Sequence, residues 1–233
     1  MALLHWIRDK IAPRGEAYRR MRFGLGKGAT ALIDFRWDSA FYFGTYENEL
    51  DEYFRLLVKK GTRCFDVGGY RGWDALCFAQ LSRTATVTFE PNLQNVDYMR
   101  RSLSRAAAPV TIVETLIGDR IENGMTTLDQ ACRDYFLPDL VKIDIEGAET
   151  DALRGAGDLL SSRKPSFVIE VHSPACESDC LEILRHHGYS PLVVERKKKL
   201  LGERRSISHN RWIVSAGADI APEITSSLLA IGR

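Results

Sequence analysis

The stretch "RCFDVGGYRG", residues 63–72, decides the fold class of this chain. A short apolar run carries Asp66 near its end, Gly68 and Gly69 follow directly, and a helix-like segment opens near Gly72. Glycines let the backbone turn sharply and approach a ligand without interference from a Cβ atom. A strand, a glycine-rich turn and a helix in this order begin a βαβ unit, so the stretch predicts an α/β fold with a parallel sheet.

The same alternation continues along the chain at intervals of roughly 25 residues. The last two apolar runs are joined by a segment that is too short for a helical crossover, which predicts an antiparallel hairpin at the end of a mostly parallel seven-stranded sheet. The predicted strands are 63–69, 84–91, 110–119, 139–145, 165–172, 191–196 and 211–216, and the helices between them begin near residue 72 and cover 93–106, 126–136, 148–162 and 180–188.

The segment before the sheet holds two amphipathic stretches, residues 3–11 and 16–23, which predict an N-terminal helical cap. Such a cap covers either the sheet or a partner subunit, so the sequence is compatible with a homo-oligomer. No linker or repeat divides the remainder, and the length favours one main domain. We expect a cap or lid over 1–50, the main domain over 51–216 and a tail over 217–233.

Composition excludes several classes of function. Lys and Arg total 32 against 31 Asp and Glu, so the net charge of +1 gives no general attraction to nucleic acid. The five cysteines have no framework spacing and no signal peptide precedes them, which predicts reduced thiols in a cytoplasmic protein. No stretch reaches the roughly 18 to 20 apolar residues that span a bilayer. Composition therefore predicts neither a nucleic-acid partner nor a transmembrane segment.

Acidic residues close three successive predicted strands, at the sheet edge where ligands bind in open parallel sheets. Asp66 would repel phosphates and attract an ammonium or sulfonium group. Glu90 is placed to accept hydrogen bonds from a ribose diol, and Asp119 to accept from an exocyclic amine such as that of adenine, although an ordinary turn aspartate is nearly as plausible there. The glycine spacing is not the dinucleotide fingerprint. The ligand indicated is an adenosine that carries a cationic tail.

These motifs resemble the FkbM family of S-adenosylmethionine-dependent methyltransferases. The resemblance covers residues 44–172 and is strongest in "VKIDIEGAETDALRGA", residues 141–156, with support from "FDVGGYRG", "FEP" and "TTLD". It implies a class I, Rossmann-like methyltransferase fold for the main domain. It also implies methyl transfer to a hydroxyl oxygen of a sugar, polyketide or other secondary metabolite.

Matched position by position, the resemblance implies a set of cofactor-binding residues. Glu47 matches an acidic position before the sheet and is included for that reason. At "GGYRGWDAL" the sequence departs from the usual pattern, because Arg71 would stand beside a sulfonium site and either point away or bind the cofactor carboxylate. The implied contacts are Asp66, Gly68 and Gly72 to the methionine end, Glu90 to the ribose, Asp119 to the adenine edge, and Glu47.

Methyl transfer to a hydroxyl also needs a base near the acceptor. The alternation in the fourth and fifth strands predicts that Asp144, Glu146, Glu170 and His172 meet at one edge of the cleft. His172 is the first candidate for the base and Asp144 the second, as a base or as the group that orients the acceptor. A histidine satisfied by a backbone carbonyl is the structural alternative.

Metal binding is not assigned to any residue. The same carboxylates could hold Mg²⁺, but no ligand set is spelled out by the spacing. His172, Cys176 and Cys180 lie four apart, yet Pro174 interrupts a continuous helix, so two buried thiols are favoured over a zinc site. Two other functions stay open, namely a nicotinamide-dependent reductase and a non-catalytic nucleoside-binding protein on the same fold.

Overall fold

The computed structural model describes residues 14–107, 109–162, 165–195, 209–218, 220 and 222–231. Its centre is a seven-stranded sheet with two flanking layers of helices. The strands are β1 (Ala17–Arg20), β2 (Thr30–Ile33), β3 (Cys64–Val67), β4 (Thr86–Phe89), β5 (Val110–Val113), β6 (Leu116–Ile117), β7 (Met125–Thr126), β8 (Leu140–Ile143), β9 (Ser166–Val171), β10 (Leu192–Glu195) and β11 (Arg211–Ser215).

The main sheet has the order β10-β11-β9-β8-β3-β4-β5. Strands β3, β4, β5, β8 and β9 run parallel, whereas β11 is antiparallel to both of its neighbours, β9 and β10. The predicted mostly parallel sheet with a C-terminal antiparallel hairpin is therefore confirmed. Because the chain order reverses between β3 and β8, their carboxyl ends form the crevice in which ligands bind in such sheets.

Helices cover both faces of this sheet. They are α1 (Phe35–Tyr42), α2 (Asp51–Leu57), α3 (Trp73–Ser82), α4 (Leu93–Ser102), α5 (Leu128–Asp134), α6 (Glu149–Arg154), α7 (Gly157–Ser162), α8 (Pro174–His186) and α9 (Pro222–Ile231), with a short 3₁₀ turn at Leu103–Arg105. Several begin with a side-chain cap: Asn92 accepts from the N–H groups of Gln94 and Asn95 at the start of α4.

The hydrophobic core consists of two clusters, one on each face of the main sheet. The first joins the N-terminal segment to helices α2, α3, α4 and α9, and includes Met21, Phe54 and Met99. The second lies under α5 to α8 and includes Phe89 and Phe167. Residues of the N-terminal segment thus contribute to the core on one face of the sheet.

The N-terminal segment corrects one prediction. Residues 16–23 are not a helix: β1 pairs antiparallel with β2 in a hairpin, and burial along β1 alternates with the period of a strand. The predicted helix over 3–11 lies outside the described residues. Within the first 50 residues, the structure describes a helix at α1, whose N-cap Asp34 accepts from the N–H of Arg36.

Three other boundaries differ from prediction. The predicted strand over 110–119 divides, because only β5 joins the main sheet while β6 pairs with β7. The predicted helix over 148–162 is split into α6 and α7 at Gly155. Helix α8 begins at Pro174, well before residue 180, because Ser173 caps it and proline is favoured in the first turn. Within the described residues, no helix has the length and apolar character needed to cross a membrane.

Candidate functional site

The glycine loop after β3 is fixed by close backbone packing. Gly68 has φ +89°, and a Cβ atom there would lie 1.8 Å from the carbonyl oxygen of Asp144. The N–H groups of Gly68 and Gly69 both donate to the carbonyl oxygen of Phe89, each at 3.0 Å. Gly72 then precedes α3 in the left-handed conformation. The loop therefore draws the ends of β3, β4 and β8 together, and it needs glycine at residue 68.

Asp66 lies beneath this loop and is fully buried. In register it stands between Thr88 of β4 and Lys142 of β8, and its Oδ2 accepts from the Thr88 hydroxyl at 2.9 Å. Its Oδ1 has no hydrogen-bond partner among the described residues. Burial raises the pKa of Asp66 to about 7, although the charge of Lys142 opposes this shift.

Glu90, at the end of β4, holds the glycine loop against the start of α4. Its Oε2 accepts from the N–H of Tyr70 at 2.8 Å, and its Oε1 accepts from the N–H of Asn92 at 2.9 Å and the side chain of Asn95 at 3.2 Å. A carboxylate oxygen can accept two hydrogen bonds, so Oε2 retains capacity for a ligand hydroxyl. The position fits the predicted contact with a diol.

A cavity of ≈ 460 Å³ adjoins Glu90, because Tyr70 and Asn95 line it. Arg71 lines it as well, and its guanidinium lies 3.2 Å from Asp38 Oδ2 and 3.8 Å from the centre of the Tyr98 ring. Arg71 is thus held between Asp38 of α1 and Tyr98 of α4 at the wall of this cavity. The remaining lining residues are Gly15, Glu16, Asp34, Arg36, Trp37, Gln94, Tyr98 and Arg101.

Lys142 is the charged centre of the crevice and is almost completely buried. Its Nζ lies 3.0 Å from Asp74 Oδ2 and 3.1 Å from Asp144 Oδ2. Burial alone would lower the pKa of Lys142, but the carboxylates of Asp144 and Asp74 outweigh it and raise that pKa well above its usual value. The two charges in "VKIDI" are thus an ion pair that α3 completes through Asp74.

Glu47, Asp144 and Glu170 gather beside this ion pair. One carboxylate oxygen from each lies within 4.8 Å of the other two. Burial raises the pKa of Glu170 to about 8, with Asp144 adding to the shift, and it raises the pKa of Glu47 well above its ordinary value. The family resemblance implies a cofactor contact for Glu47. In the structure, its carboxylate lies beside those of Asp144 and Glu170.

His172 follows β9 and faces the same carboxylates. Its Nδ1 lies 3.0 Å from Glu149 Oε1, while its Nε2 lies 3.7 Å from both Asp144 Oδ1 and Glu170 Oε1. Because an ionised carboxylate can only accept, Nδ1 donates to Glu149 and the lone pair of the neutral imidazole is on Nε2. The hydrogen bond with Glu149 raises the pKa of His172. Among the residues that the structure describes, His172 has no backbone carbonyl as a hydrogen-bond partner.

Glu149 is the residue that sequence reasoning underestimated. Its position in the first turn of α6 by itself indicates only a favourable charge at the start of a helix. It is instead fully buried, and accepts from the N–H of Gly147 at 3.0 Å and from the Cys176 thiol at 3.2 Å in addition to His172. The sequence shows an acid at the start of a helix after "IEG", but it does not show that this acid contacts His172 at the end of β9.

Glu149 gives the protein an acid-sensitive stability. Burial opposes its ionisation, but the hydrogen bonds from His172 and Gly147 outweigh burial and lower its pKa from 4.5 to about 2. A lowered pKa stabilises the folded state above the unfolded pKa, and this contribution is lost as pH falls from about 4.5 toward 2. We expect Glu149→Gln to lower the free energy of unfolding by on the order of 3 kcal/mol at pH 7.

Urea unfolding at several pH values checks this expectation. The gap between the wild type and Glu149→Gln should narrow as pH falls below about 4.5, because the wild-type carboxylate then becomes protonated. The exposed Glu182→Gln on α8 should match the wild type throughout. A gap that stays constant from neutral to acid pH would show that the charge of Glu149 does not stabilise the fold.

Asp119 lies apart from this crevice, whereas Cys176 and Cys180 lie at its edge, where the Cys176 thiol donates to Glu149. Asp119 follows β6, is exposed, and forms an ion pair with Arg120 at 3.1 Å. Its position is compatible both with an ordinary turn aspartate and with a ligand contact at a strand end. Cys176 and Cys180 are buried free thiols on one face of α8, with sulfurs 3.9 Å apart. Neither cysteine belongs to a group with metal-ligand spacing among the described residues.

Part of the chain matches a known protein family. Residues 100–191 match the family described as Methyltransferase FkbM domain, whereas the glycine loop and Glu47 lie outside the matched range. No curated protein sequence matches the chain significantly.

Solved structures share the fold at low sequence identity. Methyltransferase FkbM from Methylobacillus flagellatus KT is similar with a TM-score of 0.54 and 18% identity over 66% of this chain. The match spans 43% of the Methylobacillus protein, which is less than half of its length. Precorrin-6y C5,15-methyltransferase from Geobacter metallireducens GS-15 gives a TM-score of 0.51 and 17% identity, over 72% of this chain and 86% of that one.

A protein from Streptococcus mutans, crystallised in complex with SAH, gives a TM-score of 0.50 and 10% identity over 71% of this chain and 94% of that one. These identities establish the fold alone. The resemblance found in the sequence is confirmed over residues 100–191, which are similar to the methyltransferase FkbM domain, and the fold is that of class I methyltransferases.

Proposed function

We propose that this protein is an S-adenosylmethionine-dependent O-methyltransferase that acts on a hydroxyl group of a sugar, polyketide or related metabolite. The observation that carries the proposal is the juxtaposition of His172 with Asp144 and Glu170 at the carboxyl ends of β8 and β9. A base set among carboxylates beside the glycine loop suits the removal of a hydroxyl proton.

The residues after β3 and β4 fit S-adenosylmethionine. The buried Asp66 has one oxygen without a hydrogen-bond partner among the described residues, which suits a cationic ligand, and Glu90 Oε2 can accept from a ribose hydroxyl. The glycine loop, through Gly68 and Gly72, would bring the backbone close to the methionine end. Asp119 remains the proposed contact for the adenine edge.

The chain's own residues supply alignment and proton removal. S-adenosylmethionine, when bound, supplies a methyl group activated by a sulfonium. His172 Nε2 would accept the proton of the acceptor hydroxyl, which makes that oxygen a better nucleophile. Glu149 keeps Nδ1 occupied, so that Nε2 faces the acceptor. Asp144, anchored by Lys142, is placed to orient the acceptor.

Glu90 gives the residue-level test of cofactor binding. We expect Glu90→Ala to weaken S-adenosylmethionine binding by about tenfold to a hundredfold, since a charged hydrogen bond contributes roughly 1.5–3 kcal/mol. Isothermal titration calorimetry measures the change. Glu90→Gln, which keeps one acceptor oxygen, should lose less affinity, and Glu114→Ala, an exposed acid after β5, should bind like the wild type. Equal affinity in Glu90→Ala would refute the proposed ribose contact.

Two other functions remain as alternatives from the sequence. A nicotinamide-dependent reductase is disfavoured because the glycine spacing differs from the dinucleotide fingerprint. A non-catalytic nucleoside-binding protein would need no base, and the contacts of His172 are better suited to catalysis. Formation of S-adenosylhomocysteine with any hydroxylated acceptor would exclude both.

A further inference from the structure

We propose that Glu47, Asp144 and Glu170 form a binding site for a hard divalent cation such as Mg²⁺ or Ca²⁺. The first observation is the convergence of three carboxylates from three separate elements, the loop before α2, the end of β8 and strand β9. One oxygen from each lies within 4.8 Å of the others. Oxygens at that spacing can close on one cation at Ca²⁺–oxygen distances of about 2.3–2.6 Å.

A second observation points independently to a ligand. Glu47 is 8% exposed, and its Oε2 has no hydrogen-bond partner among the described residues. Glu47 is held with φ +44°. A buried carboxylate oxygen without a donor is costly unless a ligand or ion completes it. Because Glu47 is directed at Asp144 and Glu170, that ligand has to share their space.

The charges around the three carboxylates favour a cation. In the part of the chain that the structure describes, neither Glu47 nor Glu170 has an ion pair with a lysine or arginine, and the ammonium of Lys142 is already shared between Asp74 and Asp144. Asp144 Oδ2 contacts Lys142, which leaves Oδ1 on the side of His172. Oxygen ligands of this kind select hard divalent ions.

A second group, Asp144, Glu146 and His172, also has metal-ligand spacing. We favour the Glu47 group, because Glu146 is exposed whereas Glu47 and Glu170 are buried. Resting on the proposed function, the inference also narrows the acceptor. A cation at this position would bind two neighbouring oxygens of the acceptor, as in a sugar diol, and lower the pKa of the hydroxyl to be methylated.

Electron paramagnetic resonance with Mn²⁺ tests the site without methyl transfer. Purified full-length protein, first treated with chelator, is titrated with Mn²⁺, and the loss of the free-ion signal reports binding. We expect one site per chain, from which Mg²⁺ or Ca²⁺ displaces Mn²⁺. Glu47→Gln and Glu170→Gln should each weaken Mn²⁺ binding by at least about tenfold, and the exposed Glu182→Gln should not.

The outcomes separate the alternatives. Absence of a stoichiometric site, or unchanged Mn²⁺ binding in both Glu47→Gln and Glu170→Gln, would overturn the proposal. Binding that is lost in Glu146→Gln but kept in Glu47→Gln would overturn it in favour of the other group. Thermal melting confirms that each variant is folded. Calorimetry with S-adenosylmethionine is run separately, because failure to bind that ligand would contradict the proposed function whatever Mn²⁺ does.

Discussion

Replacing His172 with asparagine is expected to leave S-adenosylmethionine binding intact and to slow methyl transfer by about 10²–10⁴-fold, the usual contribution of a general base. The reason is geometric. Nε2 of His172 faces the crevice between Asp144 and Glu170, whereas Nδ1 is turned to Glu149. Asparagine preserves a donor for Glu149 but has no basic nitrogen. Release of S-adenosylhomocysteine over a panel of sugars and hydroxylated polyketides measures the effect.

His186→Asn is the matched control for this experiment. It makes the same chemical change on an exposed residue in the last turn of α8. The control should bind the cofactor and turn over like the wild type. If His172→Asn retained full turnover with an acceptor that the wild type methylates, His172 would have to be removed from the mechanism, and Asp144 would become the candidate base.

Replacing Lys142 with methionine is expected to destabilise the fold by about 3–5 kcal/mol, because removing one member of a buried ion pair leaves uncompensated charge. Methionine matches the length of the lysine stem but leaves Asp74 and Asp144 facing each other without the shared ammonium. Asp66 stands next to Lys142 on the neighbouring strand and loses the same compensation. Urea unfolding at neutral pH in the presence of chelator measures the loss.

The exposed Lys60→Met, in the turn before β3, controls for the removal of a positive charge. The deficit of Lys142→Met should shrink as pH falls, because protonation neutralises the carboxylates that Lys142 serves. A loss below about 1 kcal/mol at neutral pH, comparable to that of a surface pair, would mean that these carboxylates are already neutral in the folded protein.

The regular part of the fold was predictable because its signals are local. The apolar runs that contain Asp66 and Lys142 each form a strand, as predicted, and Asn92 caps the predicted helix α4. The hairpin of β1 and β2 was not predicted. Residues 17–20 form a strand by pairing with residues 30–33, and neither segment carries a clear periodic pattern in the sequence. Four residues are too few for periodicity to distinguish strand from helix.

The site was predictable at strand ends and not in the loops. Alternation along β8 and β9 was enough to place Asp144 with Glu170 and His172, because neighbouring parallel strands share an edge. Glu47 and Asp74 were not predictable as neighbours of this group, since each reaches it from a separate segment through tertiary packing. The small sheet of β6 and β7 likewise arises from pairing that no local pattern indicates.

Calorimetric titration of the wild-type protein with S-adenosylmethionine, set beside an identical titration with NADP⁺, addresses the cofactor most directly. We predict saturable binding of S-adenosylmethionine at one site per chain, with an affinity in the micromolar range, and no heat of binding from the nicotinamide. Micromolar binding of the nicotinamide alone would contradict a methyltransferase and would return the glycine loop to the reductase alternative.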